Sequence, residues 1–244
     1  MLTFEAFSAE YRRIFNHNNL DKFCKEETIQ AFYNFTNLLI EENSHTNLTA
    51  IREIPDIITK HFADCLLPEN LFPLNATVLD VGCGGGFPTI PLAIARPDLK
   101  ITAIDSTQKK INFVQKAADS LGLTNVIAIC ARAEAPELRK YRESFDIVTS
   151  RAMARMPVLI ELTLPFAKIG GNVIALKGAQ GEIELAESMR AIPILGGDPS
   201  PKRHNLTLKA DGGDESRTIL VVSKVVETSK AYPRNYSVIS KKPL

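Results

Sequence analysis

The sequence predicts an α/β fold in which a mostly parallel sheet carries helices on both faces. From residue 76 onward, short runs rich in Val and Ile alternate with helical segments, an order typical of parallel sheets. Near the C-terminus, two more strand-like runs leave no room for a helix between them, so they predict an antiparallel hairpin at one edge. We therefore expect a helical N-terminal extension over 1–75, packed on a core domain over 76–244 that ends in a basic tail.

The predicted elements of the core domain follow from this alternation. The five runs expected as parallel strands are 76–81, 99–105, 125–130, 145–150 and 172–177. The segments expected as helices between and after them are 88–96, 107–121, 154–167 and 180–190. The hairpin pairs 204–209 with 217–226, because the linking segment from Ala210 to Ser216 is rich in turn-forming residues.

The N-terminal extension is predicted to be helical. Phe32 and Phe35 recur at helical spacing with Leu38 and Leu39, which indicates a helix whose phenylalanines belong to the core. A second helix is expected from Ile54 to Leu67, with Pro55 in its first turn. The polar segment 43–49 between them predicts a loop.

Composition excludes several classes of protein. The 244 residues are 45% hydrophobic and 23% charged with a net charge of +1, values that exclude disorder and collagen-like chains. No apolar stretch is long enough to predict a membrane span, and the N-terminus does not resemble a secretory signal. The four cysteines are scattered without zinc-ligand spacing, so we expect reduced thiols, no metal site and a cytoplasmic location.

The net charge conceals a gradient along the chain. Residues 1–75 hold 6 basic and 11 acidic side chains, whereas residues 195–244 hold 9 basic and 5 acidic ones. A basic C-terminal part favours a polyanionic partner, and it is equally compatible with a solvated face.

A glycine-rich turn from Gly82 to Gly86 gives the strongest functional signal. It follows a predicted buried strand and precedes a predicted helix, so it lies where open α/β sheets bind ligands. The dinucleotide fingerprint GxGxxG does not fit, because Phe87 or Thr89 stands where the third glycine is required. A phosphate loop is also missing from the sequence, since no Lys-Ser or Lys-Thr follows the glycines.

Two aspartates indicate a nucleoside cofactor without phosphates. Asp105 ends the next strand, where a carboxylate can accept hydrogen bonds from ribose hydroxyls or cap the following helix. Asp80 precedes the glycines and can either serve the ligand or brace the loop. Together with Gly82, Gly84 and Gly86, these residues suit S-adenosylmethionine, whose charges are an ammonium, a sulfonium and a carboxylate.

Over nearly its whole length the chain resembles the bacterial RsmG family, also called glucose-inhibited division protein B. The stretches that carry the resemblance are Asn47–Arg52, Lys60–Asp64, Val78–Gly82, Gly86–Pro88, Asp105–Phe113, Arg132–Glu134, Thr149–Ala152, Ala175–Gly178 and Tyr232–Arg234. Departures are Cys65 in place of a usual Ser, Thr89 in place of a frequent Gly, and a tail after Arg234 that lacks the family's Gly-x-Pro.

The resemblance implies a class I S-adenosylmethionine-dependent methyltransferase fold, Rossmann-like, and methylation of a guanine N7 in a loop of 16S rRNA. It implies that 16S rRNA in the small ribosomal subunit is the partner. Cofactor contacts carried over from the family are Gly82, Phe87, Ala133, Glu134 and Arg151. Guanine N7 has a free lone pair and no proton, so alignment alone is expected to suffice, and no residue is required as a general base. Arg151 and Lys177 are the candidates for a catalytic role.

Further basic and polar residues are candidates for RNA contact, although each is also compatible with packing or a solvated surface. These candidates are Asn47, Arg52, His61, Arg155, Arg203 and Arg234. Two other functions stay open: a small-molecule methyltransferase on the same fold, and a ribosome-binding factor without enzymatic activity. Nothing in the sequence requires more than a monomer.

Overall fold

The computed structural model describes residues 2–244, which form one mixed sheet with helices on both faces. Its seven strands lie in the order β3-β2-β1-β4-β5-β7-β6. Strands β1 to β5 are parallel, β7 runs antiparallel to β5, and β6 runs antiparallel to β7. This confirms the predicted parallel sheet with an antiparallel hairpin at its edge. The strands are β1 (Thr77–Val81), β2 (Lys100–Asp105), β3 (Val126–Cys130), β4 (Phe145–Arg151), β5 (Ala167–Lys177), β6 (Lys202–Leu208) and β7 (Glu215–Ser223).

The α-helices follow the predicted alternation. The helices are α1 (Phe4–His17), α2 (Glu26–Thr46), α3 (Ile54–Ile57), α4 (Asp64–Leu66), α5 (Thr89–Ala95), α6 (Gln108–Ser120), α7 (Met156–Thr163), α8 (Gly181–Ser188), α9 (Ala191–Ile194) and α10 (Tyr236–Ile239). Strand β5 is longer than predicted and begins at Ala167 instead of residue 172, because Phe145 at the start of β4 pairs with Ala167.

The predicted loop over 43–49 is partly wrong, since α2 continues to Thr46. The hydroxyls of Ser44 and Thr46 donate to the carbonyls of Glu41 and Glu42, so these side chains bond within the last turns of the helix. The helix ends at Asn47, whose φ of 51° places it in the left-handed region.

The predicted helix over 54–67 contains a turn of π-helix. Residues Ile58–Ala63 have π-helical hydrogen bonding between α3 and α4, and they carry His61. Such turns insert one extra residue into a helix and thereby redirect its side chains. Here the turn places His61 against the glycine-rich loop, as described below.

The N-terminal helices share one apolar core with the sheet. Phe32 and Phe35 are fully buried, which confirms that they belong to the core. The ring of Phe35 lies 5.8 Å from those of Phe62 and Phe87 and 6.2 Å from that of Phe113. Helix α2 therefore packs directly behind the loop that follows β1. None of the described helices is both long enough and apolar enough to cross a bilayer.

Candidate cofactor and substrate clefts

The glycine-rich loop turns sharply away from the carboxyl end of β1. The amides of Gly82 and Cys83 both donate to the carbonyl of Ile104, at 2.8 and 3.0 Å, which ties the loop to β2. Gly82 has a φ of 78°, and a Cβ there would lie 2.5 Å from Cγ of Met153. A side chain at this position would strain the backbone and require Met153 to shift.

Gly84 and Asp105 connect the loop to the end of β2. The amide of Gly84 donates to Oδ2 of Asp105 at 3.1 Å, and Oδ1 of the same carboxylate accepts from the amide of Thr107 at 2.8 Å. Each carboxylate oxygen retains a lone pair for a ribose hydroxyl. A Cβ on Gly84 would meet no atom of the described residues within 4 Å, so the loop faces open space at this point.

A cleft of about 230 Å³ lies beyond the loop. It contains four of the predicted cofactor residues, namely Gly82, Asp105, Ala133 and Glu134. Gly84, Gly86, Phe87 and Arg151 do not line it. Gly86 serves the turn, since its carbonyl accepts from the amide of Ile90 in α5. Met153, Leu162 and Tyr236, which the sequence did not single out, complete the walls.

Asp80 lies beneath the loop with its side chain fully buried. Its Oδ2 accepts a hydrogen bond of 2.6 Å from the hydroxyl of Thr89 at the start of α5. Its Oδ1 has no hydrogen-bond partner among residues 2–244. Burial raises the pKa of this carboxyl to about 7. The carboxyl therefore braces the loop from beneath through its bond with Thr89.

Phe87 and Arg151 lie with His61 on the opposite side of the loop. The His61 ring stacks on Phe87 at 4.1 Å, and the Arg151 guanidinium lies 5.3 Å from the centre of the Phe87 ring. Arg151 donates to the carbonyl of Lys60 at 3.0 Å and lies 3.2 Å from a carboxylate oxygen of Asp64. These contacts join β4 to the N-terminal extension.

Hydrogen bonding fixes the neutral tautomer of His61. Arginine has no acceptor, so the 3.1 Å contact with Arg151 makes Nδ1 of His61 an acceptor. The Nε2 atom then carries the proton and donates to the hydroxyl of Thr49 at 2.7 Å. Burial, reinforced by the charge of Arg151, lowers the pKa of His61 to about 3.

Replacing His61 is expected to change how stability depends on pH. His61 titrates near pH 6.5 in the unfolded chain and near 3 in the folded chain. Between these values the unfolded state binds the extra proton, so stability falls as the pH is lowered. The variant His61→Phe keeps a ring against Phe87 and cannot be protonated. Between pH 7 and pH 5 the wild type should lose about 2 kcal/mol more than the variant. Urea denaturation at both pH values measures this difference, and equal losses would contradict it.

A second cleft of about 410 Å³ adjoins the first. Met153 lines both, so the two clefts meet at this side chain. The second cleft is lined by four basic side chains, three of which are paired with carboxylates of the same cleft. Those four side chains are Arg151, Arg155, Lys177 and Arg217.

The carboxylates of the second cleft are both engaged. Asp64 lies between Arg151, at 3.2 Å, and Arg217, at 2.6 Å. Lys177 pairs with Glu184 at 2.9 Å and donates to the carbonyl of Ala154. The cleft therefore has more basic than acidic side chains, and both of its carboxylates are already paired.

The remaining RNA-contact candidates are spread over the surface, and several have acidic neighbours. Arg155 pairs with Glu187, and Arg203 lies 3.8 Å from Glu182, so helix α8 supplies both carboxylates. Arg234 makes a bidentate pair with buried Glu161 beside the first cleft. Asn47 caps α2, and Arg52 lines a small pocket between α2 and α3.

Comparison with known proteins identifies the family. The family described as GidB, rRNA small subunit methyltransferase G, matches residues 28–205. The Ribosomal RNA small subunit methyltransferase G of Macrococcus caseolyticus is 45% identical over 221 residues, covering 90% of this chain and 92% of the relative. The protein of the same name from Brevibacillus brevis is 44% identical over 218 residues, covering 88% and 90%. The chain belongs to this family.

Solved structures share its fold. The O-methyltransferase from Bacillus cereus in complex with SAH matches with a TM-score of 0.59 at 18% identity, covering 91% of this chain and 100% of that chain. The YcgJ protein from Bacillus subtilis matches with a TM-score of 0.53 at 13% identity, covering 68% and 100%. The fold is that of the class I S-adenosylmethionine-dependent methyltransferases, as predicted, and S-adenosylmethionine is the cofactor.

The first cleft fits this cofactor on its own chemistry. The free lone pairs of Asp105, which lines the cleft, offer acceptors for hydroxyl groups, and the open backbone at Gly84 allows close approach beside them. When bound, the cofactor supplies an electrophilic methyl group on a sulfonium. The loop residues and Asp105 would hold and orient it, and Met153 lies where the first cleft meets the second.

Proposed function

We propose that this methyltransferase transfers a methyl group from S-adenosylmethionine to N7 of a guanosine in a loop of 16S rRNA within the small ribosomal subunit. Family membership and the names of the relatives support the rRNA substrate. The observation that carries the proposal is the junction at Met153, where the first cleft meets a larger cleft lined by four basic and two acidic side chains. We further propose that it acts as a monomer in the cytoplasm.

The titratable side chains in and beside the second cleft are already paired, which supports N7 as the methyl acceptor. In the described part of the chain, the second cleft's carboxylates, Asp64 and Glu184, are held by basic side chains, and neighbouring His61 uses both ring nitrogens. None of these groups is free to accept a proton. N7 needs no base, because its lone pair forms the new bond while the sulfur takes up the electron pair of the old one.

The basic side chains of the second cleft and its surroundings are proposed to contact the RNA. Arg151 and Lys177 line the second cleft and would position the guanosine, while exposed Arg155 and Arg203 would meet phosphates by exchanging their α8 carboxylates for them. His61 is proposed to act indirectly, by holding Arg151 in place. Asn47, Arg52 and Arg234 are proposed to contribute at the periphery of the RNA surface.

Transfer of labelled methyl groups tests the proposed function. Small subunits from a strain lacking this gene, large subunits from the same strain, and naked 16S rRNA are each incubated with enzyme and methyl-labelled cofactor. We expect label in small subunits alone, at a nucleotide where N7-methylguanosine allows chain cleavage. Label absent from every RNA would favour a small-molecule substrate or a binding factor. Label at another atom would contradict N7.

A further inference from the structure

The C-terminal segment folds back along the sheet and is pinned to the core domain. Arg142 donates to the carbonyls of Tyr232 and Thr228, at 2.6 and 2.8 Å. Two residues further on, Arg234 donates through its amide and side chain to the carboxylate of Glu161, which is fully buried. Bidentate pairs with a buried carboxylate fix geometry closely, so this part of the tail has a defined position.

The short helix α10 begins directly after this anchor. The side chain of Asn235 accepts from the amide of Ser237 and caps the helix, while Ile239 is buried in the core. Tyr236 lies between these two fixed points. Its ring lines the cofactor cleft, and the Arg132 guanidinium lies 6.0 Å from the ring centre. The same residue falls within the tail where the sequence departs from the family pattern.

We propose that Tyr236 is a cofactor-binding residue that packs against the adenosyl part of S-adenosylmethionine and closes the cleft over it. The neighbours of the ring in the cleft indicate that it would meet the adenosyl end of the ligand. Arg132, Ala133 and Glu134 follow β3, which is separated by β2 from the strand that carries the glycines. An aromatic ring with a free face suits a purine base, since any base offers a flat π surface. Tyr236 is 37% exposed, which leaves such a face available.

Titration calorimetry with S-adenosylhomocysteine, which lacks the transferable methyl group, tests this role. Tyr236→Ala should weaken binding about tenfold, whereas Tyr236→Phe should stay within about twofold of the wild type. Val238→Ala is the matched control, because Val238 lies exposed on the same helix and does not line the cleft. Unchanged affinity in Tyr236→Ala would overturn the proposal. An equal loss in Val238→Ala would also overturn it, since the helix and not the ring would then be responsible.

A fluorescence measurement tests the same contact without relying on the affinities of the alanine variants. The chain contains no tryptophan, so Tyr236→Trp introduces a single tryptophan at the proposed contact. Stacking on a purine quenches indole emission, and we expect S-adenosylhomocysteine and adenosine both to quench it. Methionine alone should have no effect. Emission that stays unchanged at saturating S-adenosylhomocysteine would overturn the proposal, whatever the activity of the enzyme on RNA.

Discussion

Gly82→Ala is expected to weaken binding of S-adenosylhomocysteine roughly ten- to hundredfold. The new Cβ would lie 2.5 Å from Cγ and 3.0 Å from Cβ of Met153, so Met153 must shift within the cleft that it lines. The alanine must also adopt a φ of 78°, which L-residues disfavour. Titration calorimetry on the folded variant measures the loss.

Gly122→Ala is the matched control for this prediction. Gly122 has a φ of 65° in the turn after α6, and a Cβ there meets no described atom within 4 Å. Both variants therefore incur the backbone cost, and only Gly82→Ala disturbs the cleft. Equal cofactor affinity in the two variants would contradict the assigned position of the cofactor.

Asp64→Ala is expected to lower the free energy of unfolding by about 3 kcal/mol. Asp64 is 8% exposed, and its carboxylate lies between Arg151 of β4 and Arg217 of β7. Removing it leaves two largely buried guanidinium groups facing each other without their shared counter-charge. Urea denaturation at neutral pH measures the loss. The slope of the unfolding free energy against urea concentration should stay unchanged, which would indicate the same unfolded state.

Asp56→Ala provides the comparison from the same helical stretch. Its carboxylate pairs with Lys60 at 3.0 Å on the exposed side, where an ion pair contributes at most about 1 kcal/mol. Similar free energies of unfolding for the two variants would show that the ion pairs of Asp64 with Arg151 and Arg217 do not hold the N-terminal extension to the sheet.

Much of the fold could be predicted from the sequence, because its patterns are local. The apolar runs of β1 to β5 and the glycines after Val81 indicate a buried parallel sheet with a ligand loop. The end of α2 and the π-helical turn at Ile58–Ala63 could not be predicted. At the end of α2, the side chain of Asn43 bonds to the backbone of Thr49 six residues away. The π-helical turn accompanies the stacking of His61 on Phe87, which is distant in sequence.

The candidate site could be predicted only in part, because its walls come from distant segments. Gly82 and Asp105 follow adjacent strands, so the sequence places them together. Arg217 and Tyr236 reach the clefts from the C-terminal part of the chain, and no local pattern marks them. Nor does a sequence reveal that Arg155, Lys177 and Arg234 already have carboxylate partners, since each pair joins different elements.

Methylation of 16S rRNA in cells tests the central claim most directly. A strain lacking this gene would carry the wild-type gene, Gly82→Ala or Gly122→Ala, and its 16S rRNA would be cleaved chemically at N7-methylguanosine. We predict one gene-dependent cleavage with the wild type and Gly122→Ala, and little or none with Gly82→Ala. Absence of that cleavage with the wild-type gene, or full cleavage with Gly82→Ala, would contradict the account.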